Sequence, residues 1–380
     1  MAFGPGSIYQ IDATIGDVYL VSSFDRSKII GRPVIYVVID VFSRMIVGFH
    51  ISLEGPSWAG AMIALANTMM DKVELCKEYG ISITTDQWPA KYLPESILAD
   101  RGEMISHNSD RLIDGLGITI HNTPPFRADW KGIVEQTFRL LNLGFIKWLP
   151  GSVQGRIRER GQPDSRLDAK LDLNDFRKIF INLILKHNNS HYMERYSRSE
   201  FQITENVSPI PLNLWEWGIT NRTGHLRQLP EDLVRLTLLP TGSGLVTQFG
   251  IRFKGMYYSS DLAIREQWFE EVRKNRTRRV NISFDPRLMD VIYLHKDNGQ
   301  GFEPCTLLER EARYRGHCME DVEELFEIEK LQKDLHEPKR LEDQVNFNAD
   351  MDEIVKEATK KTNMQLDPAM SKSKRVAQIM

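Results

Sequence analysis

The sequence predicts an α/β protein, with a mixed sheet flanked by helices, then a smaller all-β unit, then a charged helical C-terminal region. Three observations carry this. Residues 8–15 alternate, with Tyr9, Ile11, Ala13 and Ile15 on one face and Gln10, Asp12 and Thr14 on the other, the period of a strand. β-rich runs then mix with amphipathic stretches up to about residue 190. Beyond residue 234 the pattern changes to short strands with turn residues between them, which fits a small barrel or sandwich.

Taken in order, Val34–Ile39 and Met45–Ile51 are strands, joined by a connection short enough for a hairpin in which Asp40 braces the turn. Residues 57–79 are helical material, with Ser57 as N-cap and Gly80 as the stop. A short apolar strand over Ser96–Ala99 ends at Asp100. Residues 109–116 suit a helix, 118–121 a strand, and Lys131–Leu149 a longer helix with an apolar seam of Val134, Phe138, Leu141, Phe145 and Trp148. The Gly- and Arg-rich stretch 150–173 is expected to be an exposed excursion, and Asn174–His187 another amphipathic helix. Two prolines in 208–215 mark a boundary and precede a short helix near 212–221. Strands are expected at Val234–Leu239, Leu245–Phe253, Met256–Ser259, Arg279–Phe284 and Val291–His295. A charged helix follows at 309–336, and the polar segment after Pro338 is expected to be partly disordered. The division is therefore 1–206, 207–308 and 309–380.

Composition narrows the function classes. The 380 residues carry 49 Lys+Arg and 52 Asp+Glu, a net charge of −3, so nucleic-acid contact must come from local basic patches. The imbalance lies in residues 301–380, whose net charge is −5. Three cysteines without a CxxC pair exclude a disulfide scaffold and a cysteine zinc finger. His50, His107 and His121 have no zinc-binding spacing, and the 14 methionines are dispersed as core filler. With no signal-peptide pattern and no membrane-length apolar run, a reducing cytoplasmic setting is expected.

Three carboxylates stand out by context. Asp12 lies on the polar face of the first strand, Asp100 at the end of a buried strand, and Glu135 in the first turn of the 131–149 helix. Carboxylates brought together repel unless a cation intervenes, and a hard divalent ion with oxygen ligands, Mg²⁺ or Mn²⁺, resolves this. Two such ions can serve in-line attack at phosphorus. Spacing alone has little weight among 52 acidic residues. Glu135 and Arg139, four apart, could equally be a surface ion pair.

The local motifs are more specific. IDAT around Asp12, VIDVFSRMIVGF after it, LADRGE around Asp100 and KGIVEQTFR around Glu135 together resemble the DDE transposases and retroviral-type integrases. Thirty-four residues separate Asp100 from Glu135, close to that family's interval. GPGSIYQIDATIGDVYLV, IIGRPVIYVVIDVFSRMIVGF and RLDAKL resemble its TnsB-type branch, over about residues 4–309.

The resemblance implies a ribonuclease-H-like core followed by a small β-barrel. It implies Asp12, Asp100 and Glu135 as catalytic and metal-binding residues, holding two Mg²⁺ or Mn²⁺ ions. It implies hydrolysis that frees transposon 3′ ends and transesterification that joins them to target DNA. The implied partners are transposon-end and target DNA, a TnsA-like endonuclease, a TnsC-like ATPase regulator that the tail engages, and further copies assembled on DNA. End-recognition domains of that branch are expected to lie outside this sequence. A metal nuclease without strand transfer and a non-catalytic DNA-bridging subunit are the alternatives.

On such an enzyme Arg127, Lys131 and Arg139 could neutralise phosphates near the scissile bond, and Arg156, Arg158 and Arg160 could follow a backbone. Arg273, Lys274, Arg276, Arg278 and Arg279 form a second candidate patch before a barrel strand. Phe126 and Trp130 either stack on a displaced base or pack in the core.

Overall fold

The computed structural model describes residues 2–99, 115–122, 132–134, 136–140, 145–153, 164–222, 226–274, 278–296, 301–365 and 376. It divides into two compact units, residues 1–320 and 321–380.

In the first unit, five strands make the main sheet: β1 (Ile8–Ile15), β4 (Val34–Asp40), β5 (Ile46–Ser52), β6 (Ser96–Ala99) and β7 (Thr119–Asn122). Two short strands, β2 (Leu20–Val21) and β3 (Ile29–Gly31), pair with each other beside it. The sheet order is β5-β4-β1-β6-β7. β1 runs antiparallel to β4 and parallel to β6, and β6 runs parallel to β7. Three antiparallel strands continued by two parallel ones, with helices on the faces, is the ribonuclease-H-like arrangement.

Every residue of β4 and β5 is buried, which explains their near-continuous apolar sequence. Helix α1 (Trp58–Met69) lies close against β5, and glycines make the approach possible. A Cβ at Gly48 would come within 2.6 Å of the Ala64 carbonyl oxygen, and one at Gly60 within 2.4 Å of the Tyr36 ring. Ser57 caps α1 as expected, its Oγ accepting from the Gly60 N–H at 3.2 Å. The expected single helix is two, because the chain turns at Met70 and Asp71 before α2 (Lys72–Glu78). The buried Lys72 ammonium donates to the carbonyls of Asn67 (2.6 Å), Met70 (3.0 Å) and Thr68 (3.3 Å), closing the end of α1. Helix α3 (Leu173–Ser190) buries Phe176, Phe180, Ile181 and Ile184 in the sheet's core. The short α4 (Glu200–Thr204) is followed by α5 (Pro211–Asn221) and α6 (Glu231–Leu238), whose Trp215, Val234 and Leu238 join the same core.

Beyond this lies a closed six-stranded barrel: β8 (Thr241–Thr247), β9 (Gly250–Phe253), β10 (Met256–Ser259), β11 (Arg278–Phe284), β12 (Val291–His295) and β13 (Phe302–Leu307). Helices α7 (Asp261–Arg265) and α8 (Trp268–Lys274) connect β10 to β11.

Four further expectations are corrected. Residues 231–238 are helix rather than strand, since Val234 and Leu238 satisfy a four-residue period as well as a two-residue one. The run 245–253 is two strands parted by a turn at Gln248-Phe249. The apolar seam holds at Val134 and Phe138, which are buried, but Phe145 and Trp148 are exposed, and 146–148 is a separate 3₁₀ turn. In the second unit, helix α9 (Met319–Gln365) runs through Pro338 instead of giving way to disorder. A proline removes one donor and costs about 3 kcal/mol locally. The strong helix formers on either side, with pairs such as Glu337–Arg340 and Glu357–Lys361, carry the helix past it.

Asp40 braces the β4–β5 turn. Fully buried, it accepts from the N–H of Gly6 (3.0 Å), the N–H of Ser43 (2.7 Å) and the hydroxyl of Ser43 (2.7 Å). Asp40→Ala strands two buried N–H groups and should cost about 3 kcal/mol in urea denaturation. A loss below about 1 kcal/mol would show that the turn holds without the carboxylate.

Candidate active site

Asp12 stands in the second half of β1, the middle strand of the sheet, and pairs across to Val37 of β4. It is half-buried, and its Oδ1 accepts from the Ala13 N–H at 3.0 Å. The strand's expected polar face is itself covered, for Gln10 is only 2% exposed. On the other side of β1 the parallel register matches Ile8 with Ser96, Tyr9 with Ile97 and Gln10 with Leu98. Strand β6 is described to Ala99, one residue short of Asp100.

Asp100, Glu135, Arg127, Lys131, Arg156, Arg158, Arg160 and Arg276 lie outside the described residues, as do Phe126, Trp130 and His107. Residues 132–134 and 136–140, on either side of Glu135, are helical, and Arg139 is exposed on that helix. Among the described residues, no three His, Cys, Asp or Glu side chains group closely enough to hold a metal ion. The donor set expected for the site is three carboxylates, hard oxygen ligands that suit Mg²⁺ or Mn²⁺. Asp12 is the member whose position is described.

The barrel carries a basic face that extends the expected patch. Arg279 of β11 stands opposite Leu245 of β8, Leu245 opposite Arg252 of β9, and Arg252 opposite Tyr257 of β10. Directly paired residues share one face of a sheet, so these four form a row across the outside of the barrel. Arg310 extends it, with its guanidinium 4.3 Å from the Tyr257 ring centroid and its Nη2 donating to the Phe249 carbonyl at 2.8 Å. Arg278, one residue from Arg279, lies instead over the Trp268 ring at 4.2 Å. Arg252, Tyr257 and Arg310 escape a linear reading because only the barrel register brings them beside Arg279.

Residues 10–151 match the family model described as the TnsB C-terminal domain, and residues 235–302 match that of the Mu transposase C-terminal domain. The chain is 40% identical, over its whole length, to 54% of the transposon Tn7 transposition protein TnsB of Escherichia coli. Over 67% of its length it is 25% identical to 46% of the transposase for transposon Tn552 of Staphylococcus aureus. It belongs to the TnsB-type transposases, and spans about half the length of these curated relatives. Among solved structures, a simian T-cell lymphotropic virus intasome chain aligns over 80% of this chain and 77% of its own, with 12% identity and a TM-score of 0.33. The HTLV-2 integrase catalytic core in complex with magnesium aligns over 53% of this chain and 99% of its own, with 15% identity and a TM-score of 0.27.

Burial shifts several titratable groups of the first unit. Burial, with Arg177 and Arg287 nearby, pushes the His50 imidazole down to about 3. Burial also lowers His187 to about 4, although its Nε2 lies 3.1 Å from the Arg44 carbonyl oxygen and must donate to it. Asp40 moves the other way, raised to about 6 by burial against its hydrogen bonds to Ser43 and Gly6. From pH 6.5 downward the unfolded chain gains protons on both imidazoles that the folded chain refuses, so stability falls with pH. Protonation of Asp40 in the fold offsets part of this below about pH 6. Going from pH 7 to pH 5 should cost on the order of 2 kcal/mol of unfolding free energy from these three groups. His187→Gln keeps the donor and should flatten that slope, read from denaturation midpoints at the two pH values. An unchanged slope would assign the acid sensitivity elsewhere.

Proposed function

We propose that this chain is the catalytic part of a transposase that frees transposon 3′ ends and joins them to target DNA by in-line phosphoryl transfer. The supporting observation is the register of β1 with β6. If that register, which is described to the Gln10–Leu98 pair, continued for two more residues, Asp12 would match Asp100. Paired residues of a parallel ladder project to the same side of the sheet, so the two carboxylates converge in this reading. The third, Glu135, would come from between the helical residues 132–134 and 136–140. Similarity to the Tn7 protein TnsB and the Tn552 transposase supports the same reaction class.

Asp12, Asp100 and Glu135 would hold two Mg²⁺ or Mn²⁺ ions, which when bound supply Lewis-acid stabilisation of charge on the attacking and leaving oxygens. Asp12, positioned by the central strand, keeps its carboxylate oriented through the Ala13 N–H. In the first step a water oxygen attacks phosphorus and the 3′ oxygen of the transposon end departs. In the second that 3′-hydroxyl attacks a target phosphodiester, forming one P–O bond as another breaks. Arg127, Lys131 and Arg139 neutralise phosphates flanking the scissile bond, while Arg156 and Arg158 follow the backbone further out. The barrel row of Arg279, Arg252 and Arg310, with Arg276 and Arg278 beside it in sequence, carries a second stretch of duplex. DNA at the ends and at the target, further copies of the chain, a TnsA-like endonuclease and a TnsC-like ATPase are its partners in this scheme. No described helix is long and apolar enough to cross a membrane.

Asp12→Asn should lower joining of a pre-cleaved donor to target by more than about a hundredfold, since even a change one shell out from a metal can cost that much. Duplex affinity should stay within about twofold. Retained joining would remove Asp12 from the site, and hydrolysis without joined product in the unaltered chain would favour a nuclease. Arg252→Ala with Arg279→Ala should reduce the slope of log affinity against log salt by about two, one for each phosphate left without its arginine. An unchanged slope would leave the barrel row as a solvated face.

A further inference from the structure

The segment after the helical residues 136–140 turns two aromatic rings toward solvent. Phe145 is 40% and Trp148 77% exposed, whereas Ile146 between them is 1% exposed and anchors the turn in the core. The turn is held by the Trp148 N–H donating to the Phe145 carbonyl at 3.0 Å and by Ser152 Oγ donating to the Lys147 carbonyl at 2.9 Å. Its continuation is pinned to the chain leaving β1. The Tyr19 N–H donates to Gly151 O at 2.9 Å and the Val153 N–H to Asp17 O at 2.8 Å. Gly151 and Val153 thus lie beside the chain leaving β1, and the two rings precede them in the same segment.

Each ring carries a cation. Lys186 Nζ lies 4.7 Å from the Phe145 centroid, although the two are far apart in sequence, and Lys147 Nζ lies 5.0 Å from the Trp148 centroid. Lys186 belongs to an exposed stripe of α3, with Asn182 and Lys178 at four-residue steps. We propose that Phe145 and Trp148, with Lys147 and Lys186, form a stacking platform for unpaired nucleotides of bound DNA. A nucleotide brings a base face for a ring and a phosphate for an ammonium together. An apolar protein surface would instead have to desolvate both lysines. This rests on the functional reading above and adds to it a substrate form, DNA with bases out of the helix.

The test uses the full chain with a short oligothymidylate carrying one 2-aminopurine, and with a duplex of equal length. Stacking should quench the 2-aminopurine. Trp148→Ala and Phe145→Ala should each weaken oligothymidylate binding about tenfold and relieve the quench, with duplex affinity within about twofold. Trp148→Phe should retain most of the affinity. Lys186→Gln should lower the single-strand salt slope by about 0.7. The high exposure of Trp148 makes its removal compatible with folding. Unchanged quench and affinity in Trp148→Ala would overturn the platform. So would an altered sedimentation mass with no effect on the oligonucleotide, which would mark a contact between copies instead. An unaltered chain that binds duplex but not oligothymidylate sinks the platform alone, whereas one that binds neither sinks the transposase reading with it.

Discussion

The middle strand of the main sheet is hydrogen-bonded antiparallel to β4 on one side and parallel to β6 on the other, and this mixed neighbourhood dictates where chemistry can sit. A parallel neighbour aligns strand ends, so residues at the carboxyl ends of β1 and β6 share one edge of the sheet. An antiparallel neighbour can be joined by a tight turn, and so β4 and β5 form a hairpin that seals the opposite flank. Asp12 can be half-buried yet reachable because its strand is central while its position lies toward the strand's end. The 145–153 segment closes against the chain just past that end through Gly151 and Val153.

Building a sheet covered on both faces has an energetic consequence for its polar residues. His50, His187, Asp40 and Gln10 are all buried there. Asp40 and His187 are satisfied by backbone groups, whereas Gln10 Oε1 and His50 Nδ1 have no hydrogen-bond partner among the described residues. The covering helices are fitted closely, as Gly48 and Gly60 show, leaving little slack for a different set of side chains. Rigid support of this kind suits a carboxylate that must hold a fixed direction.

Much of this is legible in the sequence where one period dominates. Val291–His295 and Ser96–Ala99 form the strands their patterns predict, and Ser57 is the cap its position predicts. The reading fails where two periods compete or where a local rule is overridden. VRLTLL fits helix and strand alike, and packing of Val234 and Leu238 into the sheet's core decides for helix. Phe302–Leu307 escapes a pattern-based reading because Pro304 argues against a strand, yet it pairs with β12 and helps close the barrel. Trp148 fits a core position only by continuing a helical seam, and the helix does not extend to it. The motifs single out Asp12 by its neighbours in sequence; the Arg279, Arg252 and Tyr257 row needs three strand registers that no linear pattern contains.

Helix α9 has 47 residues, and at about 1.5 Å of rise for each it is about 70 Å long. A flexible tether of equal residue count would hold its ends at a broad range of separations. A continuous rod sets one. Such an element acts as a ruler, for which spacing and angular phase change together when residues are added. Insertion of a single residue would turn everything beyond it by about 100°, whereas seven would add about 10 Å and nearly restore the original facing.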